Sequence, residues 1–247
     1  RDRLRSRGLG DVYKRQVLCR AGTMDNYAYI LVDEDTRTTA VVDPSENGPI
    51  IAKLNELKLT PEYIFNTHHH FDHTDGNLEL KQLYGAKVVG NQADASRIPG
   101  FDIGVVPGET FSLGKTTAEI IDVSAHTQNH ILWYFPADKA LFTGDTLFNL
   151  CIGGLFEGTP QQMFSALSKI KELPDDVLFY PGHEYTMPAA MTAYNFNRGN
   201  PEIRQYLERA KERIEQGLPV GPVPLGIEKK CNPYLQAGSA QELREID

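Results

Sequence analysis

Four of the seven histidines fall within the stretch THHHFDHTDGN, Thr67–Asn77, together with two aspartates. The run before it, Tyr63–Phe65, is apolar and β-prone, and the run after it, Leu78–Tyr84, repeats apolar residues at helical spacing. The cluster therefore reads as a loop that leaves a strand and enters a helix, the place where α/β proteins put their ligands. In extended backbone alternate side chains share a face, so His68 and His70 can converge on one metal while His69 points away. Asp72 and His73 follow the turn and can reach a second metal. Imidazole combined with carboxylate suits zinc, iron or manganese. The plain alternative is a polar surface loop with clustered histidines.

The other histidines argue against that alternative. His126 follows the β-prone run Thr116–Ser124, and His183 follows Val177–Tyr180. Between them Ala140–Asp145 is a further apolar run ending in Gly-Asp. Each candidate ligand closes a strand, which places all of them along one sheet edge. Two metals with three ligands each and a shared carboxylate need seven side chains. The chain supplies His68, His70, His126, Asp72, His73, His183 and Asp145. His69 and His130 are left over, and His130, opening a strand-like run, reads as an orienting or packing histidine.

THHHFDH, His126, FTGD (Phe142–Asp145) and GHEYT (Gly182–Thr186) together resemble the metallo-β-lactamase fold. FEGTPQQM (Phe156–Met163), GHEYT and EKKCNPYL (Glu228–Leu235) are similar to the glyoxalase II, or hydroxyacylglutathione hydrolase, family, from about Val17 to the C-terminus. The resemblance implies that His68, His70 and His126 hold one divalent metal and Asp72, His73 and His183 the other, with Asp145 bridging. Zinc is the first expectation, with iron and manganese as alternatives. The implied activity is hydrolysis of S-D-lactoylglutathione to D-lactate and glutathione, the second step of methylglyoxal detoxification, with Asp72 and Asp145 able to move protons. Two departures concern backbone geometry: Asp75-Gly76 stands for Gly-Gly, and Ala125 and Asn129 stand for glycines around the His126 turn.

The substrate side of the resemblance is thinner. It implies Phe156 and Tyr185 near glutathione and Arg244, in LREID, as a contact to a carboxylate. Gly154 occupies the position where the family carries a Lys or Arg. The chemistry itself is consistent with a thioester. Paired dications acidify water without a catalytic base, and no general acid is evident. A thiolate, with a pKa of about 8.5, leaves without one, whereas an amide nitrogen does not. Two readings compete: a same-fold hydrolase of another thioester or a lactone, and a mononuclear-iron glutathione persulfide dioxygenase.

At 247 residues, 40% apolar, the chain can bury a sizeable core. The formal charge of −8 argues against nucleic-acid binding, and no apolar run is long enough for a membrane helix. Cys19, Cys151 and Cys231 are odd in number and widely spaced, which favours a reducing, cytoplasmic setting. A monomer is expected. Ser6–Gln16 back-translates codon for codon into a sequencing adapter, so residues 1–16 are read as an artefact that is not native. A native start is then expected to be lost, and the C-terminus, at LREID, to be truncated. The order of the elements predicts an α/β fold, a four-layer αββα sandwich over residues 17–185. A small α-helical substrate-binding extension follows over 186–247. Ser45 is the expected cap of the first helix, and Asn91–Pro107 reads as a turn-rich excursion.

Overall fold

The computed structural model describes residues 12–19 and 24–246. In chain order its first half comprises β1 (Val12–Cys19), β2 (Asn26–Asp33), β3 (Thr39–Val42), α1 (Asn47–Leu57), β4 (Tyr63–Phe65), α2 (Phe71–Thr74), α3 (Asn77–Tyr84), β5 (Lys87–Asn91) and β6 (Phe101–Val105). Then come β7 (Thr110–Leu113), β8 (Thr116–Asp122), β9 (Ile131–Phe135), β10 (Ala140–Gly144), β11 (Leu147–Phe148), β12 (Cys151–Ile152), α4 (Pro160–Glu172) and β13 (Leu178–Pro181). The C-terminal part holds α5 (Thr186–Phe196), α6 (Pro201–Glu215), β14 (Val223–Pro224), α7 (Leu225–Cys231), α8 (Pro233–Gln236) and α9 (Ala240–Arg244).

Two six-stranded sheets form, β1-β2-β3-β4-β5-β6 and β14-β13-β10-β9-β8-β7. Strand β2 is buried along its whole length, and its alternation divides the core. Tyr27, Tyr29 and Leu31 face the second sheet, packing with Trp133, Phe142 and Tyr180. Ala28, Ile30 and Val32 face outward to Ile50, Leu54 and Leu80 on α1 and α3. On the far side Leu132, Leu141 and Phe179 of the second sheet meet Met163, Leu167 and Ile170 of α4. The layers are thus αββα, as the sequence predicts. Ile203 and Tyr206 of α6 and Leu235 of α8 join that same outer cluster, so the extension packs on the second sheet. Helix α4 has a complete N-terminal signal: Thr159 and Gln162 form a reciprocal capping box around Pro160.

Three local expectations change. Glu46, not Ser45, precedes α1, and Ser45 is buried with an unpartnered hydroxyl. The Asn91–Pro107 excursion contains β6, which extends the first sheet in parallel with β5; its mixed burial hides the alternation. Strand β1 begins at Val12, inside the segment read as an artefact, and Val12–Gln16 pair with Tyr29–Asp33. Strand β1 lies at the sheet edge, where backbone groups accept any extended segment. The first eleven residues lie outside those described. Among the described residues no helix is long and apolar enough to cross a membrane.

Candidate metal centre

Strand direction brings the candidate ligands together. Strands β3 and β4 run parallel, and Asp43 and Thr67-His68 lie just past their ends. In the second sheet β8 and β10 are both antiparallel to β9, and β13 is parallel to β10. Their ends therefore share one edge, delivering His126, Asp145 and His183. The start of β2 reaches the same edge, where Asn26 bridges to His183.

The side chains form two trios. In the first, His126 Nε2 lies 3.1 Å from His70 Nδ1, and the His68 ring stands edge-on to both. In the second, His73 Nε2 and His183 Nε2 are 3.3 Å apart, with Asp72 Oδ2 at 3.4 and 3.3 Å from them. Asp145 lies between the trios: Oδ2 is 3.5 Å from His126 Nε2 and 3.2 Å from His183 Nε2, and Oδ1 is 3.2 Å from His73 Nε2. A tetrahedral metal with ligands at 2.0–2.1 Å spaces them about 3.3 Å apart. Lone pairs converging at that spacing repel one another unless a cation sits between them. His68 Nε2 and Asp145 Oδ1 are moreover buried without a hydrogen bond, a cost that metal ligation removes. The residues fit a pair of metal ions.

The opposite ring nitrogens are tied down, which aims the inner ones. His126 Nδ1 donates to the Gly154 carbonyl at 2.7 Å, and His183 Nδ1 to the Met24 carbonyl at 2.8 Å. His73 Nδ1 faces Asp43 Oδ2 at 3.2 Å, and His68 Nδ1 faces the Thr67 hydroxyl at 3.0 Å. Asp43 also accepts from the Thr67 amide and hydroxyl, so one buried carboxylate orients ligands of both trios. Asn26 donates to Asp72 Oδ2 at 3.0 Å. His130 accepts from the Asp145 amide at 3.2 Å and stacks on His68, an orienting role as expected. Sequence reasoning missed Asp43 and Asn26. The position of Asp43, directly after a strand that parallels β4, is the one signal that could have found it.

Electrostatics follow from burial against charge. Burial pushes His68 well below the ordinary imidazole range and His70 down to about 4. Burial opposes charge at His183 as well, but Asp145 and Asp72 outweigh it and lift the pKa to about 9. His73 is raised by Asp145, Asp43 and Asp72 against the same burial. Burial would raise Asp72, yet its hydrogen bonds to His183 and His73 hold it far below the usual carboxylate range. Protons and metal ions therefore compete for His73 and His183.

His69 turns away to Asp94 and Glu157, each at 3.5 Å, beside Arg97. Packing next to the ligands admits no side chain at two glycines. A Cβ on Gly153 would meet the Asp145 carbonyl oxygen at 1.8 Å, and one on Gly182 would meet Asp145 Oδ1 at 2.3 Å. The departures from the family pattern are absorbed locally. Asp75 takes an ordinary helical φ of −58°, and Asn129 adopts the left-handed φ of 65° that Asn tolerates. The ligands open into a cleft of about 360 Å³ walled by Met24, Phe71, Phe148, Phe156 and Tyr185. Phe156 stands edge-on to His70 and His126, and Tyr185 stacks on His183 at 4.8 Å. Arg244 does not line this cleft; it borders a separate depression with Thr159 and Gln161.

Comparison with known proteins gives a consistent picture. Residues 22–183 match the metallo-beta-lactamase superfamily, and residues 184–246 match the hydroxyacylglutathione hydrolase C-terminus. A hydroxyacylglutathione hydrolase of Pelagibacter ubique is 39% identical over 90% of this chain and 93% of its own length. One of Ruegeria pomeroyi is 42% identical over 86% and 84%. Among solved structures, ETHE1 from Myxococcus xanthus has a TM-score of 0.72 at 25% identity, covering 95% of this chain and 89% of its own. The BLEG-1 B3 metallo-beta-lactamase shares the fold, with a TM-score of 0.69 at 21% identity over 91% of this chain and 100% of its own.

Proposed function

The chain belongs to the hydroxyacylglutathione hydrolase family of the metallo-β-lactamase superfamily, and from that premise we propose that it hydrolyses S-D-lactoylglutathione and related 2-hydroxyacyl thioesters to the hydroxy acid and glutathione. The observation that carries the reading is Asp145 set between two complete trios at the floor of the cleft. We assign His68, His70 and His126 to one divalent ion and Asp72, His73 and His183 to the other, zinc first. Bound there, such ions supply Lewis acidity for activating water and polarising a carbonyl. Asp145 and Asp72 are held ionised by the facing histidines, the state in which a carboxylate binds a cation. The apolar walls contributed by Phe148, Phe156 and Tyr185 exclude bulk water and hold the thioester against the floor.

The leaving thiolate needs no acid, in keeping with a cleft whose only carboxyls among the described residues are Asp72 and Asp145. The second trio favours this reading over a mononuclear-iron persulfide dioxygenase, which would leave that position unfilled. Both trios come from one chain, so the functional unit is taken to be a monomer. Its three cysteines are free thiols, and we place the reaction in the cytoplasm. The test is thioester hydrolysis with metal content measured on the same sample. Turnover of S-D-lactoylglutathione with about two metal equivalents is expected. Hydrolysis confined to thioesters without glutathione would overturn the substrate, and oxygen uptake on glutathione persulfide would overturn the class.

A further inference from the structure

The motif EKKCNPYL marks the family, yet two of its residues grip the wall of the cleft. Strands β11 and β12 make a short hairpin whose turn is Asn149-Leu150. Leu150 sits at φ 65°, a left-handed conformation that a side chain resists. Its amide donates to Glu228 Oε2 at 3.1 Å. The other oxygen of Glu228 accepts from the Tyr206 hydroxyl, and that hydroxyl accepts from Asn149 Nδ2 at 2.7 Å. Four residues further on, Asn232 donates to the carbonyls of Phe148 at 3.4 Å and Cys151 at 3.1 Å. Glu228 and Asn232 are both wholly buried. Between them they meet a backbone group at three of the four residues from Phe148 to Cys151.

The hairpin in turn touches both trios. The Phe148 ring stands edge-on to His183 at 5.5 Å and to Tyr185 at 5.3 Å. Just past β12, Gly153 is wedged against Asp145 and His126, and the Gly154 carbonyl fixes the His126 ring. Apolar residues would anchor the extension to the sheet equally well, as Ile203 and Leu235 do. A buried carboxyl is costly, and its position opposite a strained turn points to that turn.

We propose that Glu228 and Asn232 are positioning residues, through which the helical extension sets the hairpin that aims His126 and backs His183. The proposal rests on the hydrolase reading only for its kinetic arm. The other arm uses the full chain loaded with Co²⁺, whose visible ligand-field bands report metal geometry without substrate. Glu228→Ala and, separately, Asn232→Ser are expected to shift those bands and to lower kcat about 10- to 100-fold, with KM little changed. Glu228→Gln keeps an acceptor for the Leu150 amide and should restore the wild-type spectrum. Ile203→Ala, buried in the same extension but removing no hydrogen bond to the hairpin, should lower the melting temperature and leave the bands alone. Unshifted bands in folded Glu228→Ala and Asn232→Ser, or an equal shift in Ile203→Ala, would reduce the pair to structural cement and overturn the proposal. Should Glu228→Ala fail to fold, Asn232→Ser decides by the same bands. An enzyme inactive on every thioester, yet with shifted bands in these variants, would sink the substrate reading and leave the positioning role standing.

Discussion

Asp43 Oδ2 faces His73 Nδ1 across 3.2 Å, on the side of the imidazole turned away from the other ligands. That contact fixes the ring and raises the basicity of Nε2. Asp43→Asn keeps the acceptor for the Thr67 amide but presents an NH₂ or a neutral oxygen to His73. Losing such an orienting carboxylate typically costs 10–100-fold in metal affinity. Chelator competition should register roughly that loss in Asp43→Asn, concentrated at the position of Asp72, His73 and His183. Unchanged affinity for both ions would remove Asp43 from the centre.

Asp145 and His69 make a paired test. Asp145 faces both trios, whereas His69 is engaged with Asp94 and Glu157. Asp145→Ala should abolish turnover and reduce metal content below two equivalents. His69→Ala should retain both metals and most of kcat. Equal losses in the two variants would contradict the assignment of the bridge.

Gly154 offers a gain-of-binding experiment. A Cβ there meets only the Phe156 ring, at an ordinary contact distance of 3.5 Å, so a side chain can begin there without a clash. Gly154→Lys adds a cation at the lip of the cleft. A partly exposed charge-assisted hydrogen bond is worth about 1–3 kcal/mol, so KM for lactoylglutathione should fall roughly 5- to 150-fold. A remote contact holds ground and transition states alike, leaving kcat nearly unchanged. A thioester lacking carboxylates should show no gain, and an equal gain there would misplace the glutathione pocket.

Burial raises Glu228 to about 7 against the opposing hydrogen bonds of Tyr206 and Leu150. The folded chain then holds this proton to higher pH than the unfolded chain does. Stability from this group is complete below the ordinary carboxyl range and declines as pH rises through about 4.5 to 7. The loss amounts to up to about 3 kcal/mol. Melting temperatures of the wild type should decline across this window more steeply than those of Glu228→Gln. Parallel pH profiles would mean that Glu228 titrates normally.

Residues 1–16 should be dispensable. The part of the segment that is described, Val12–Gln16, pairs with β2 at a sheet edge. Lys14 and Gln16 add side-chain contacts to Asp138 and Tyr29 at 3.4 and 3.5 Å. Deleting 1–16 should leave kcat/KM unchanged and shift the melting temperature little. A large loss of either would show that the segment packs as working structure.

The sequence by itself determined the candidate ligands, their positions past strand ends and the layer order of the sandwich. These are written in local periodicity and in short motifs, because strand alternation, helix spacing and a His-rich loop each leave a signal within a dozen residues. It also set His69 and His130 apart from the other five histidines, since an extended HHH turns its middle side chain away and His130 opens a strand-like run instead of closing one. Only the tertiary structure decided that Asp43 orients ligands of both trios, that Arg244 stands apart from the cleft, and that Glu228 and Asn232 reach the hairpin beside His126 and His183. Each of those depends on a contact between residues far apart in the chain. The Leu150 amide and the Glu228 carboxylate are 78 residues apart, and nothing local to either residue encodes the other. Their meeting is set by how the second sheet and the extension pack, a property of the closed core rather than of any segment within it.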